Sequence, residues 1–450
     1  MRMTLVITLL LTFLGCSTLP KQRTDKLSII QGLTSTKEVE FSILGPANKS
    51  LRFELRSEAG KIILPDETKI ISRDFSPWII HKIVFIREQT KEYNLYVYDD
   101  KKIIDQRLVG KGQINHAKLK LAVLSCIDDN FSDHFKIWNA LAVKNPEYIL
   151  MIGDNVYASR NSSGVKTSGT PESIWKRYTE TRLSVPFFFQ NKLIPVHAVW
   201  DDNDFGASNS NEDFQYKEES KEIFDAFFAQ SLSEEEYTKG HGVGGLLYMG
   251  DFNLYFLDAR TYRSSYKEGM QLGIDQHQWL IKSLKEEAQP SFIIEGDQFF
   301  GGYHPFESYE GNHPDDFSKF VSELKGLKTP FIFLSGDRHM SEIMQFPRNL
   351  FGIPTFEITS SPMHGKVHPP GEFKNPWRVV STEGKVNFTL IQNTAKDNHW
   401  FMDVENIGEN GEVYYRRELA VFIKDLQDNL FEVRKRRHGR RRYRKPKRRR

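Results

Sequence analysis

The chain has 450 residues, 39% of them hydrophobic and 13% aromatic, which excludes a disordered or fibrous protein and provides for a large core, divisible between two domains. Its net charge of +3 is misleading: "RKRRHGRRRYRKPKRRR", Arg434 to Arg450, holds thirteen Lys or Arg and no acid, so the rest of the chain carries −10. The folded body is acidic, and residues 434–450 read as a disordered basic tail that cannot bury itself.

At the amino terminus Arg2 precedes an apolar run from Leu5 to Leu14. That length suits a signal-peptide core and is too short to span ~30 Å of hydrocarbon. The run ends in "TFLGCS", which resembles a bacterial lipobox with Phe13 where leucine is usual. On that reading residues 1–15 are a lipoprotein signal peptide and Cys16 is the lipid-modified first residue. An ordinary cleaved signal with an incidental cysteine is the alternative. The lipobox implies an exported cell-envelope lipoprotein anchored to the membrane; Ser17, not an acid, follows the cysteine and points to the outer membrane facing the periplasm. If Cys16 carries lipid, Cys126 has no disulfide partner, and a lone thiol in an exported protein is either buried filler or there for chemistry.

Residues 26–114 show short apolar alternations broken by turn signals: "VEFSIL" before Gly45-Pro46, "LRFELRS", "KIIL" before Pro65, "IIHKIVFI" and "YNLYVYDD". Period-2 strands at this spacing predict a small β-sandwich of immunoglobulin-like kind. It carries no clustered chemistry and reads as an accessory module.

Residues 118–428 have a different texture. "LKLAVLSC" precedes "DHFKIWNALAVK", where Phe135, Trp138 and Leu141 recur on one helix face, and the strand "YILMIGD" follows, a β-α-β unit. "IPVHAVWDD", "LYFLDAR", a helix from about Asp275 to Glu287 with Trp279, Leu280 and Leu284, "SFIIEGD", "PFIFLSGDRH" and "IPTFEITSS" continue the alternation. Such apolar strands fit a sheet covered on both faces by helices.

Strand after strand ends in an acid or a metal-ligand type: Cys126 and Asp128, Asp154, Asp201 and Asp202, Asp258, Asp297, then Asp337 with His339. One such acid is usually a turn former or helix cap, but in an α/β sheet the carboxyl ends of the strands border the ligand crevice, so these groups should converge. Converging carboxylates raise one another's pKa unless a cation neutralises them. Carboxylates suit Ca, Mg or Mn, and thiolate or imidazole suits Fe or Zn, so the mixed set predicts two metals of different character.

"LAVLSC", "MIGDNVYA", "WDDNDFG", "FLDARTYR", "LGIDQHQWL", "FLSGDRHMSEI" and "EITSS", in this order from Ala122 to Ser361, resemble the alkaline phosphatase D family, a branch of the calcineurin-like metallophosphoesterases. The resemblance implies an α/β fold with a metallophosphatase-like two-sheet core flanked by helices, preceded by the β-sandwich. It implies a ferric site of Cys126, Tyr157 and His339, with Asp154 bridging to a second cation, Ca by family likeness, held by Asp202 and Asp337 with Asp201 and Asp297 as lesser helpers. Zn, Mn or Mg are alternatives to that pair. The implied activity is hydrolysis of phosphomonoesters by a metal-activated hydroxide, with phosphodiester or phospholipid cleavage as the nearest rival and a catalytically weakened metal- or phosphate-binding surface lipoprotein as the other. A monomer is expected, with the tail meeting anionic surfaces.

Asn203 departs from the family pattern, which has a histidine there as phosphate contact and proton donor. An amide donates a hydrogen bond but transfers no proton near neutral pH. Arg260, Arg263 and Arg338 are candidate phosphate clamps or partners of surplus acids. His197 reads as a core histidine. His304 and His313 lie in "GGYHPFESYEGNHPDD", a lid or a long surface loop. "GVGG" at Gly242–Gly245 lacks the lysine and helix of a phosphate cradle.

Overall fold

The computed structural model describes residues 26–422 apart from 36, 89–90, 112–117, 231–236, 288, 328, 369–372, 383 and 397–398. Cys16 and the basic tail from Arg434 lie outside the described residues.

Eight strands come first: β1 (Ser28–Thr34), β2 (Glu38–Pro46), β3 (Leu51–Ser57), β4 (Ile62–Ile63), β5 (Glu67–Ile71), β6 (Trp78–Ile86), β7 (Tyr93–Asp99) and β8 (Lys102–Leu108). They form two antiparallel sheets, ordered β1-β2-β6-β5 and β4-β3-β7-β8. Phe41, Ile43, Ile83 and Phe85 of one sheet share a core with Phe53, Leu55, Leu95 and Val97 of the other, as period-2 strands with one apolar face require.

The remaining strands make two larger sheets. In the first, β9 (Lys118–Leu124), β10 (Tyr148–Ile152) and β11 (Val196–Val199) run parallel. The second takes β12 (Tyr237–Lys239), β13 (Gly245–Tyr248), β14 (Asn253–Phe256), β15 (Ser291–Ile294), β16 (Phe331–Ser335), β17 (Ser341–Phe346), β18 (Thr355–Thr359) and β19 (Arg378–Thr382). Its order is β12-β13-β14-β15-β16-β18-β17-β19, with β14, β15, β16 and β18 parallel. The chain then returns to the first sheet through antiparallel β20 (Phe388–Lys396), β21 (His399–Ile407) and β22 (Val413–Phe422).

Helices α1 (Ile137–Lys144), α2 (Pro171–Ser184), α3 (Asp202–Phe205) and α4 (Lys217–Phe227) send Trp138, Trp175, Phe205 and Phe224 into one core, and α5 (Gly273–Glu287), α6 (Tyr309–Asn312), α7 (Pro314–Leu324) and α8 (Arg348–Phe351) send Leu280, Tyr309, Phe320 and Phe351 into another. The second sheet lies between these cores. Leu254, Phe256, Phe292, Ile294, Ile332 and Leu334 join the first sheet's core, while their alternates Tyr255, Ile293, Phe331 and Phe333 join that of α5–α8. The apolar runs therefore arise from a sheet on one side and helices on the other, not from helices on both faces. The fold is mixed α/β, and among the described residues no helix is long and apolar enough to cross a membrane.

Candidate metal centre

The carboxyl ends of the parallel strands of both sheets meet at one place, and glycine lets them meet. Gly153, Gly296 and Gly336 each precede a strand-end aspartate. A Cβ on Gly153 would lie 2.9 Å from Gly296 Cα, and one on Gly336 would lie 2.8 Å from Ser125 Cβ. No larger residue fits either crossing.

The residues presented there have unusual backbones. Cys126, Asp154, Asp337 and His339 have φ of 56°, 52°, 56° and 51°, four of the eight non-glycine residues with positive φ among those described. Left-handed conformation at a non-glycine residue is a cost retained where the surrounding structure or a function demands it.

Two groups of donor atoms result, each spanning no more than 4.8 Å: Cys126, Asp154 and His339, and Asp154, Asp201 and Asp202. Asp154 belongs to both. Its Oδ2 lies 3.9 Å from Cys126 Sγ, and Tyr157 Oη is 3.2 Å from His339 Nε2. His339 Nδ1 meets the carbonyl oxygen of Lys366, which can only accept, so Nδ1 carries the proton and Nε2 keeps its lone pair toward Tyr157. The Cys126 sulfur accepts from Ser361 Oγ at 3.1 Å, and Ser125 Oγ lies 3.3 Å from it while donating to Ser360 O at 2.8 Å.

Asn203 joins the acids. Its Nδ2 donates to Asp154 Oδ2 and to Asp202 Oδ1, both at 2.8 Å, and its Oδ1 accepts from Ser159 Oγ. Asp202 Oδ2 accepts from Asn209 N at 2.7 Å. Asp201 Oδ1 accepts from Arg260 Nε at 2.6 Å, whereas its Oδ2 is buried without a partner.

These groups are costly to ionise together. Burial, then Asp202 and Asp201, push Asp154 well above the carboxylate range. Burial raises Asp201 likewise, with Arg260 opposing and Asp297 reinforcing. Burial, then Asp297 and Asp202, push Asp337 to about 8. The Cys126 thiol is raised by burial, Asp154 and Asp337 against the two serines, and the Tyr157 phenol by burial, Asp154 and Cys126. Burial lowers His339 to about 4, keeping it neutral. A bound cation would offset the upward shifts of the acids at once and would itself favour the neutral imidazole, and the donors present (sulfur, oxygen and imidazole nitrogen about Asp154, oxygen alone beyond it) fit two cations of different softness.

Not every strand-end acid converges. Asp258 accepts from Trp200 Nε1, Thr261 Oγ1 and the backbone N–H groups of Arg260, Thr261 and Val243, and is a cap. Asp128 accepts from Asn130 N and Nδ2. Asp297 lies behind the cluster, bound by Arg260 Nη2 at 3.0 Å, Arg263 Nη1 at 2.9 Å and Gln271 Nε2 at 3.0 Å. Asp337 is electrostatically coupled to Asp297 and Asp202 but belongs to neither group of donor atoms.

The arginines separate in the same way. Arg260 is fully buried and divided among Asp201, Asp297 and Glu307, and Arg263 pairs with Asp297 and Glu307. Both are occupied by surplus acids. Arg338 has no ion pair among the described residues; its guanidinium lies 4.6 Å over the Phe306 ring and its Nε is unpartnered.

In the polar loop the acid reaches the site and the histidines do not. Glu307, which sequence reasoning passed over, is held to about 2 by Arg260 and Arg263 although burial opposes this. His304 Nδ1 accepts from Phe306 N at 3.1 Å, so Nε2 donates to Gln298 Oε1 at 3.0 Å, and burial lowers it to about 3. His313 is buried against Arg263, and burial lowers its pKa. His197 is a core residue between Tyr237 and Phe256, without hydrogen-bond partners. Ser125, Ser361 and the glycines before the acids were visible only as members of quoted motifs, and nothing local marks Glu307.

Residues 121–409 match the PhoD-like phosphatases. This chain belongs to that family. Membership makes it a phosphatase-type hydrolase and supports a phosphoesterase function for the PhoD-like site. No curated protein is a significant match. The crystal structure of TT1561 of Thermus thermophilus aligns over 68% of this PhoD-like chain and 99% of its own, at 9% identity and a TM-score of 0.30, too low to support a statement about shared fold.

Proposed function

We propose that the protein is a metal-dependent phosphoesterase acting on phosphomonoesters, in which Asp154 would help to hold each of two cations. The observation that carries this is the place of Asp154 in both donor groups, with the unpartnered Asp201 Oδ2 beside it. Cys126, Tyr157, His339 and Asp154 would hold one cation, Fe(III) by the family resemblance, and Asp154, Asp202 and Asp201 the other, Ca by the same resemblance with Zn, Mn or Mg as alternatives, with Asp337 alongside. Two such cations supply neutralisation of phosphoryl charge and a water acidic enough to deprotonate near neutral pH.

The protein's own groups orient and balance. Lys366 O fixes the His339 tautomer, as an acceptor behind a metal-binding imidazole does. Ser361 donates to the Cys126 sulfur and favours its thiolate. The Asn203 amide holds Asp154 and Asp202 together without adding charge. Arg338, unpaired and stacked on Phe306, is the side chain free to meet phosphoryl oxygens. Two candidate proton donors to the leaving group fall away, since Asn203 cannot transfer a proton and both His304 nitrogens are engaged. Activated esters are then the better substrates. The test is hydrolysis of an aryl phosphate and a bis-aryl phosphate by metal-loaded protein with elemental analysis: turnover that is chelator-sensitive and abolished by Asp154→Ala supports the reading, preference for the diester replaces it with a phosphodiesterase, and no turnover with bound metal leaves a binding protein.

Export through the lipobox at Cys16 and contact of Arg434–Arg450 with anionic surfaces belong to the same proposal and rest on sequence. Each basic residue near a charged surface contributes about 1 kcal/mol. Deleting residues 434 onward should weaken binding to anionic vesicles at low salt and leave metal content unchanged; unaltered vesicle binding removes the idea.

A further inference from the structure

Beside the softer donor group a short hairpin projects from the loop after β10. Thr167 N bonds to Ser159 O and Asn161 N to Val165 O, both at 2.8 Å, and Asn161 Oδ1 accepts from Ser163 N and Val165 N within the turn. Its base is tied to the site, because Ser159 Oγ donates to Asn203 Oδ1. Arg160 and Lys166 pair directly across it as an antiparallel bridge, which places their side chains on one face. Like charges in that relation are destabilising.

The position of this pair is specific. The Arg160 guanidinium lies 4.9 Å over the Tyr157 ring, and its one acidic neighbour among the described residues, Asp128, is 3.8 Å away. Tyr157 touches His339, whose ring stacks at 5.4 Å on His368; His368 lies 5.3 Å from Phe306, and Phe306 carries Arg338 at 4.6 Å. Arg160 and Arg338 thus stand at the two ends of one aromatic wall along the site. Lys366 is exposed near its middle, where its carbonyl oxygen meets His339 Nδ1. In a body that is acidic once the tail is set aside, cations gathered at an acid-lined mouth call for an anion beyond the one under attack.

We propose that the 159–167 hairpin is a specificity element, with Arg160 and Lys166 binding a second anionic group of the substrate while its scissile phosphate lies by Arg338 and Asp154. The preferred substrate class is then a phosphoester carrying another phosphate or comparable anion on its alcohol portion. This rests on the phosphoesterase reading. Two partly exposed ion pairs are worth on the order of a tenfold preference.

The test compares kcat/KM on a series of alkanediol bisphosphates with that on matched alkyl monophosphates, for wild type and Arg160→Gln/Lys166→Gln. Wild type should prefer the best bisphosphate about tenfold, chiefly through KM and less so as salt rises, and the double variant should bring the ratio near one, with Arg160→Lys retaining most of it. A wild-type ratio near one, or equal losses on both esters in the variant, overturns the proposal. If neither alkyl ester is hydrolysed, turnover of an aryl phosphate decides the phosphoesterase reading separately, and calorimetric binding of the same two alkyl esters to metal-loaded protein decides the hairpin's role: tighter bisphosphate binding lost in the double variant upholds it, and equal binding ends it.

Discussion

Asn203 Nδ2 lies 2.8 Å from Asp154 Oδ2, and its second hydrogen goes to Asp202 Oδ1 at the same distance. The amide in an otherwise acidic run is therefore a neutral bridge between two carboxylates that would repel. An acid at 203 would add a third negative charge, and a histidine would add a proton donor but give up at least one of the two hydrogen bonds.

Replacing that amide should expose its role. Loss of a general acid costs typically 10²–10⁴-fold, most for alcohols that leave poorly, so wild type should hydrolyse nitrophenyl phosphates far faster than alkyl phosphates. Asn203→His should speed alkyl phosphates most and add an ionisation to the pH–rate profile at roughly 6 to 7. An unchanged leaving-group dependence would falsify this account.

Cys126 should be visible. A ferric thiolate beside a phenolate absorbs visible light, so purified protein should be coloured, and Cys126→Ser should bleach the band and lower iron content. Ser361→Ala, which removes a donor 3.1 Å from the sulfur, should shift the band without abolishing it. Colourless wild type with stoichiometric zinc would leave only a generic two-metal site.

Metal-free protein should lose stability as pH rises. Asp337 has a folded pKa of about 8 against an ordinary 3.8, so between those values the folded state holds a proton that the unfolded state has released. Its stability is fully present below about pH 4 and falls by about 1.4 kcal/mol per unit, until it levels off above about pH 8. Calorimetric melting of chelated protein at several pH values should show at least this slope, Asp337→Asn should lessen it while Asp154 and Asp201, which burial also raises, keep contributing, and metal should reduce it. A chelated protein equally stable from about pH 5 to 8 contradicts the burial argument.

The arginines should fail in different ways. Arg260→Ala leaves Asp201 and Asp297 buried without their shared cation, a loss of about 3–5 kcal/mol, read as a lower melting temperature with or without substrate. Arg338→Ala should leave melting within a degree or two and lower kcat/KM on the order of tenfold to a hundredfold, since it removes a guanidinium with no ion pair to break. Equal effects of the two variants on melting would contradict the division drawn here.

Much of this was legible in sequence because the information is local. Period-2 alternation marks strands such as Glu38–Pro46 and Trp78–Ile86, Trp138 and Leu141 mark α1, and apolar runs ending in Gly-Asp mark β10, β15 and β16. The ordered motifs were enough to indicate the family. What the strand ends do was decided only in three dimensions, because an aspartate after a strand behaves as a cap or a ligand according to what distant segments bring to it. Asp258 meets five donors, three from its own turn and one each from Trp200 and Val243, and is saturated; Asp154 meets Cys126, Asp201, Asp202 and His339 from other strand ends and is shared. Charge partners are equally non-local: Glu307 takes up Arg260 and Arg263 across more than forty residues of chain, and that capture, which no spacing encodes, helps to separate them from Arg338, which has no ion pair among the described residues.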